Sequence, residues 1–129
     1  MIYTTNYNSR SMKEKMNAGN PIVGISRWPY RWNSQIKIYE KDLAPTERLL
    51  NDWRDLYEDP SDDMTWEQFC TRYLNTLQKH KVKVIKILKE LDAKNSVLCC
   101  FEKDCTICHR SLIAKFIERN KLNIEIKEI

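Results

Sequence analysis

Hydrophobic and polar positions follow two different patterns along the chain. Short β-favouring runs at 2–7, 22–25 and 96–101 are separated by longer stretches in which apolar residues recur every three or four positions. A short apolar run bounded by polar residues predicts a buried strand, and the longer spacing predicts an amphipathic helix. Because the two patterns alternate, we expect an α/β domain in which helices connect parallel strands.

Two helices are predicted in the first half of the chain. Residues 9–18 form a charged stretch that ends at the breaker Gly19-Asn20-Pro21. A second helix is predicted to start at Ala44-Pro45, because the first turn of a helix accepts proline. Leucine and aromatic side chains then recur at helical spacing as far as Asp59-Pro60, which predicts an apolar face on this helix.

The second half of the chain predicts further helices and two strands. The stretch Thr65-Trp66-Glu67-Gln68 has the form of a capping box, and the apolar face that begins there continues past an expected break at His80-Lys81. Residues 96–101 form a continuous apolar run, which is typical of a central strand covered on both faces. A helix follows the polar loop 102–108, and alternating apolar residues at 122–126 predict a last strand.

Length and composition agree with one domain over residues 1–129. The chain has 129 residues, of which 42% are hydrophobic and 31% charged, with only 2 glycines. These values are those of a single folded domain and exclude collagen-like and disordered classes. We therefore expect a single three-layer domain, with a small, mostly parallel sheet of about four or five strands flanked by helices.

The chain carries no pattern typical of a membrane span or an export signal. Residues 1–16 contain Lys, Arg and Glu where a signal peptide has its apolar region. We therefore expect a soluble protein without a membrane partner, in the cytoplasm or, for a viral protein, in the host cytoplasm. The 5 cysteines are then expected to be thiols, catalytic groups or metal ligands rather than a disulfide framework. The formal charge of +4 allows a basic patch but does not by itself indicate nucleic acid.

The most informative stretch, residues 99–110, joins the predicted central strand to the next helix. Ligands of open parallel sheets bind at the carboxyl ends of strands, where helix N-termini attract anions. We expect Glu102 to act in acid–base chemistry and His109 to orient substrate or exchange a proton. The candidate catalytic residues of this loop are Glu102, Cys108 and His109, and the candidate ligand-binding residues are Lys103 and Arg110.

Three other kinds of chemistry are open for this loop. The form Cys105-x-x-Cys108-His109 matches a c-type haem attachment motif, but that chemistry requires export. The same three residues are candidate zinc ligands, although no second Cys-x-x-Cys pair supplies the usual fourth ligand. A thiolate nucleophile at Cys105 or Cys108 is the third, because Cys105 to Arg110 has the spacing of a rhodanese-like loop, though without its glycines.

A purely structural interpretation competes with all of these. Cys99 and Cys100 belong to a buried strand and are expected to fill the core. Glu102 and Arg110 would then form an ion pair. Since the Cys and His residues lack a credible fourth ligand, we expect no bound metal and no cofactor.

A second candidate segment, Ser26-Arg27-Trp28-Pro29-Tyr30-Arg31-Trp32, follows the predicted strand 22–25. Aromatic rings that alternate with guanidinium groups are suited to stacking on bases and contacting phosphates. The alternative is a proline-stiffened loop whose tryptophans cover the edge of the sheet. The candidate ligand-binding residues of this segment are Ser26, Arg27, Trp28, Tyr30 and Arg31.

The chain resembles the uncharacterised family catalogued as domain of unknown function 488, including its short, phage-type members. The resemblance covers nearly the whole chain, and the spaced pair of motifs in residues 98–110 is its most specific part. It implies a small α/β domain with its strongest motifs at strand ends. The motifs that carry it are Tyr3-Thr4-Thr5-Asn6-Tyr7, Ile25-Ser26-Arg27 with Pro29, Leu43-Ala44-Pro45, Leu98-Cys99-Cys100-Phe101-Glu102-Lys103 and Cys108-His109-Arg110.

These observations favour a nucleotide- or nucleic-acid-directed protein with a cleft between the loops 26–32 and 102–110. A base- or nucleotide-processing hydrolase of glycosidase type fits the candidate residues best. The alternative is a non-catalytic phage-type protein that binds a nucleotide or blocks a host protein partner. A thiol enzyme of rhodanese or phosphatase type is the third hypothesis.

Overall fold

The structure is a computed structural model that describes residues 1–58 and 64–129. Within this part of the chain, five parallel strands form one sheet in the order β3-β2-β4-β1-β5. This arrangement confirms the predicted α/β class. The strands are β1 (Ile2–Asn6), β2 (Ile22–Gly24), β3 (Ile38–Tyr39), β4 (Val97–Cys100) and β5 (Ile126–Glu128).

The helices begin and end near the predicted signals. Thr65 and Gln68 form both hydrogen bonds of the predicted capping box, and the helical stretch that starts there is interrupted at His80, as predicted. The predicted end at Asp59-Pro60 lies outside the described residues. None of the described helices is both long and apolar enough to cross a membrane. The helices are α1 (Arg10–Asn17), α2 (Glu47–Glu58), α3 (Trp66–Lys79), α4 (Lys81–Ala93) and α5 (His109–Arg119), with 3₁₀ turns at Lys41–Leu43 and Cys105–Ile107.

Alternate side chains of the central strand β4 face two separate parts of the core. Leu98 and Cys100 belong to a large apolar cluster with side chains of α3, α4 and α5. Val97 and Cys99 belong to a smaller cluster on the opposite face, which includes Met12 of α1. All four residues of β4 are buried, so the predicted central strand is confirmed.

The two edge strands differ from the prediction. β3 has only two residues, Ile38–Tyr39, and is too short to give a recognisable pattern. The last strand begins at Ile126, later than the apolar alternation indicates. The reason is that Leu122 and Ile124 are partly buried against the large cluster without joining the sheet, so their spacing reflects packing rather than strand pairing.

Candidate active site at the carboxyl edge of the sheet

The two candidate segments meet at one edge of the sheet because their preceding strands are neighbours. β2 pairs with β4 in parallel, and the pairing extends beyond β2, where the Ile25 backbone N–H donates to the Cys99 carbonyl at 2.9 Å. The chain leaves both strands at the same edge. Helix α5 begins at this edge with His109, which places its N-terminal N–H groups beside both loops.

A cavity of about 270 Å³ lies between the two loops and helices α2 and α3. One part of its wall is aromatic and the other is polar. The aromatic lining comprises Trp28, Trp53, Trp66, Phe69 and Phe101, and the polar or reactive lining includes Ser26, Arg27, Cys100, Glu102, Cys108 and His109. The cavity therefore includes six of the ten residues that the sequence analysis proposes for the site.

Helices α2 and α3 supply three rings of the aromatic wall. The Trp66 and Phe69 rings are stacked, with centroids 5.0 Å apart. The Trp53 ring lies 5.7 Å from Trp66 and 5.3 Å from Phe69. Sequence reasoning missed these three residues, because aromatic residues at helical spacing are indistinguishable from ordinary core positions.

Backbone carbonyls hold the Arg27 side chain at the cavity wall. Its Nε donates to the Pro45 carbonyl at 2.9 Å, and its Nη2 to the carbonyls of Lys41 at 3.2 Å and Ala44 at 3.4 Å. Within the described residues, no carboxylate forms an ion pair with it. Arg27 therefore has a fixed orientation, and its positive charge has no carboxylate partner in the part of the chain that the structure describes.

Ser26 links the loop after β2 to Tyr7, at the end of β1. The Ser26 hydroxyl donates to the Trp28 carbonyl at 2.6 Å, so it accepts the proton of the Tyr7 hydroxyl, 2.8 Å away. Burial raises the pKa of Tyr7 well above its usual range. The Tyr7 phenol is therefore neutral and serves as a fixed donor.

Two of the proposed ligand-binding residues in the loop after β2 lie away from the cavity wall. The Tyr30 ring stacks on Tyr7 at a centroid distance of 4.7 Å and meets the edge of Phe101 at 6.0 Å. Its backbone N–H donates to the Tyr39 hydroxyl at 2.9 Å. Arg31 is exposed to solvent, and the neighbouring Trp32 is 86% exposed. Tyr30 thus packs behind Phe101, which lines the cavity, whereas Arg31 does not contribute to the wall.

Arg110 does not line the cavity, contrary to the predicted ligand contact. It is 1% exposed, and its five N–H donors all have acceptors within the protein. Two of them pair with the Glu128 carboxylate, at 2.9 and 3.0 Å. The others reach Cys100 Sγ at 3.0 Å, the Lys103 carbonyl at 3.0 Å and the Glu102 carbonyl.

This environment also corrects the expected partner of Arg110. The ion pair involves Glu128 of β5, whereas Glu102 offers only its carbonyl oxygen. Lys103 is exposed and likewise contributes its carbonyl. Glu102 is exposed at the cavity wall, so its carboxylate is accessible to a ligand.

Cys100, expected only to fill the core, belongs both to the large apolar cluster and to the residues that line the cavity. It is the last residue of β4, next to the cleft. Cys100 and Cys108 are paired as a disulfide, with their Cα atoms 7.7 Å apart. The expectation that the cysteines form no disulfide is therefore wrong for this pair, which the fold brings together from a strand end and a helix start. The cysteines without a disulfide are Cys70, Cys99 and Cys105.

His109 has a fixed orientation beside the two sulfurs. Its Nε2 lies 2.7 Å from the Ile25 carbonyl, and its Nδ1 lies 3.6 Å from Cys108 Sγ. Burial lowers the pKa of His109 to about 4, so the ring is neutral near pH 7. Because Nε2 must carry the proton that Ile25 accepts, the Nδ1 lone pair faces the Cys108 sulfur.

The structure brings together a different set of metal-type ligands from the predicted one. The ligand atoms of Cys100, Cys108 and His109 lie within 4.8 Å of one another, whereas Cys105 is half-buried in the 3₁₀ turn outside this set. However, the Arg110 guanidinium donates to Cys100 Sγ at 3.0 Å. A fixed cation at this distance opposes a second cation on the same sulfur, so we interpret the cluster as a redox-active cysteine pair with a histidine neighbour.

The comparison with family models gives one match. The model of the DUF488-N3a family, described as the active DUF488-N3 subclade, matches residues 2–121, which confirms the resemblance to domain of unknown function 488. A search of curated proteins and a search of solved structures each gave no match. Strand β5, with Glu128, lies beyond the matched residues.

Proposed function

The chain belongs to the DUF488-N3a family, and from this premise we propose that it is a thiol-dependent enzyme that acts on a nucleotide or on a base within a nucleic acid. The observation that carries the proposal is the position of Cys100. Cys100 is one of the residues that line the cavity, and its Sγ accepts an N–H from Arg110 at 3.0 Å. The description of the family as an active subclade supports a catalytic role.

The reactive form is the reduced protein, in which Cys100 provides a thiolate. A guanidinium that donates to sulfur favours the thiolate over the thiol, and the thiolate is the nucleophile. The proposal therefore includes a reducing, cytoplasmic location, where Cys100 and Cys108 are a dithiol. In this state the Nδ1 lone pair of His109, 3.6 Å from Cys108 Sγ, is an acceptor for the Cys108 proton.

The proposed reaction is a displacement by sulfur followed by release of the covalent intermediate. The Cys100 thiolate attacks the electrophilic centre of the substrate, and the leaving group departs with a proton taken from solvent. The Glu102 carboxylate then removes a proton from the water that cleaves the bond to sulfur, and Cys100 is released as a thiolate. Glu102 suits this step because it lines the same cavity as Cys100.

The substrate class follows from the remainder of the wall. Stacked and tilted rings suit a planar base, and the positive charge of Arg27 suits a phosphate. The volume of about 270 Å³ is slightly below the range of roughly 300–1,000 Å³ for typical ligand pockets. It favours one nucleoside-sized group in the cavity rather than a base-paired segment.

The test is turnover of nucleotides by the reduced full chain. Mononucleotides with each common base, and short single-stranded oligonucleotides, are incubated with the protein and analysed by liquid chromatography and mass spectrometry. We expect consumption of at least one of them, its loss in Cys100→Ser, and its retention in Cys105→Ser, the control outside the cluster. Turnover that survives in Cys100→Ser, or no turnover of any of these compounds, would contradict the proposal.

A non-catalytic nucleotide-binding protein is the second candidate, and the disulfide favours it. With Cys100 and Cys108 joined, no thiolate is available at Cys100, while the aromatic wall is unchanged. Turnover distinguishes the two candidates, and the quenching of tryptophan fluorescence by nucleotides measures the binding that both require. Binding without turnover, in both the oxidised and the reduced protein, supports this second function. Because Trp28 lines the cavity, Trp28→Ala is expected to reduce this quenching. Trp32→Ala is the control, because Trp32 is 86% exposed and does not line the cavity.

A further inference from the structure

Arg110 connects two strands that are not neighbours in the sheet. In the order β4-β1-β5, Cys100 ends β4 and Glu128 ends β5, with β1 between them. The Arg110 side chain spans this gap, with two donors on the Glu128 carboxylate and one on Cys100 Sγ. The environment of the sulfur therefore depends on a carboxylate two strands away.

We propose that Glu128 is a positioning residue that holds the Arg110 guanidinium against Cys100. The inference rests on the proposed function, in which Cys100 is the nucleophile. Glu128 accepts from Arg110 Nε on one oxygen and from Nη2 on the other, which is the two-pronged geometry that fixes the plane of a guanidinium. With this plane fixed, one Nη1 donor is directed at Cys100 Sγ.

The carboxylate of Glu128 is itself held in place. Its Oε1 accepts the Thr4 hydroxyl proton at 2.7 Å, and Thr4 is buried in β1. Thr4, Glu128, Arg110 and Cys100 thus form one chain of hydrogen bonds across three strands and helix α5. A change at its Thr4 end is expected to reach the sulfur only through Glu128 and Arg110.

The accessibility of the two charges explains why Glu128 matters for orientation. The Arg110 side chain is 0% exposed and the Glu128 side chain 36%. If the carboxylate is removed, the guanidinium loses its counter-ion and two acceptors while water enters the vacated space. A buried guanidinium without a partner is unstable, so we expect it to turn toward this water and withdraw its donor from Cys100.

The experiment measures the pH dependence of alkylation at Cys100 in the reduced full chain. Iodoacetamide labelling, resolved by site with mass spectrometry, is compared in the wild type, Glu128→Ala and the control Glu125→Ala, whose exposed residue lies in the same C-terminal segment. We expect Glu128→Ala to raise the pH midpoint of labelling and to slow the reaction at pH 7 by about tenfold or more, because a hydrogen bond to the thiolate is lost. Glu125→Ala is expected to match the wild type.

Thr4→Val provides a milder variant that preserves side-chain shape and the ion pair. We expect it to shift the midpoint in the same direction by a smaller amount, so the test does not depend on Glu128→Ala folding well. An unchanged midpoint in both variants, despite a lower melting temperature, would overturn the inference and leave a purely structural ion pair. A lowered midpoint would also overturn it, because Glu128 would then act by offsetting the charge of Arg110. If wild-type Cys100 is not labelled at all, the proposed function itself fails.

Discussion

The segments that follow β2 and β4 each carry an arginine predicted to bind a ligand, and the structure gives the two side chains opposite environments. Arg27 is held at the cavity wall by backbone carbonyls and has no ion-pair partner within the described residues. Arg110 is buried, its five donors are occupied and its charge is paired with Glu128. The first guanidinium forms no ion pair with the described residues, whereas all donors of the second are bound within the protein.

Among the expected effects, the loss of stability on replacing the buried Arg110 is the greatest. Arg110→Ala should lower the free energy of unfolding by about 3–5 kcal/mol, because it breaks a buried ion pair and leaves several acceptors unpaired. Urea denaturation of the reduced protein measures this loss. Arg27→Ala is the matched variant and should cost less, about 1–2 kcal/mol, since it removes hydrogen bonds to backbone carbonyls but breaks no ion pair within the described residues. Similar losses in the two variants would remove the distinction between the arginines.

The two arginine-containing segments are also expected to differ in their contribution to nucleotide affinity. Arg27→Ala should weaken nucleotide binding by roughly 10–100-fold, the loss expected for a charged hydrogen bond to phosphate. Arg31→Ala is its control, because Arg31 is exposed and lies outside the cavity wall. Titration calorimetry with mononucleotides measures both affinities. Equal weakening in the two variants would indicate a diffuse electrostatic effect instead of a contact at Arg27.

Alkylation of Cys99, the neighbour of Cys100 on the other face of β4, is expected to be the weakest of the measured signals. Burial raises the pKa of Cys99 to about 12, so its thiol stays protonated as the pH rises through the neutral range. We therefore expect negligible alkylation of Cys99 in the folded, reduced protein at pH 7. Site-resolved mass spectrometry gives the ratio of the two labels. Labelling of Cys99 at a rate similar to that of Cys100 would mean that the two faces of the strand do not differ as described.

The elements most accessible to sequence reasoning are those whose signals are local. The capping box at Thr65 and the apolar run of β4 depend on residues close together in the chain, and both are confirmed. The pairing of the two loops across the cavity follows from the adjacency of β2 and β4. This adjacency is a property of the sheet, but the rule that ligands bind at strand ends was sufficient to select both loops.

The roles of Arg110 and Cys100 cannot be predicted from the sequence, because they depend on residues that are distant along the chain. Nothing in the sequence near Arg110 indicates that Glu128, in a strand two places from β4 in the sheet, will pair with it. Without this carboxylate, an arginine at a helix start is typical of an anion site. The continuous apolar run of its strand predicts a core position for Cys100, but the last residue of a strand borders the cleft as well as the core.

In the proposed function, Cys100 is a reactive thiolate within a nucleotide-binding cavity. The most direct measurement is site-resolved iodoacetamide labelling of the reduced wild type at neutral pH, with and without saturating nucleotide. We predict that Cys100 is labelled faster than the half-buried Cys105, and that nucleotide slows labelling at Cys100 alone. Slower labelling of Cys100 than of Cys105, or a rate at Cys100 that nucleotide does not change, would contradict the account.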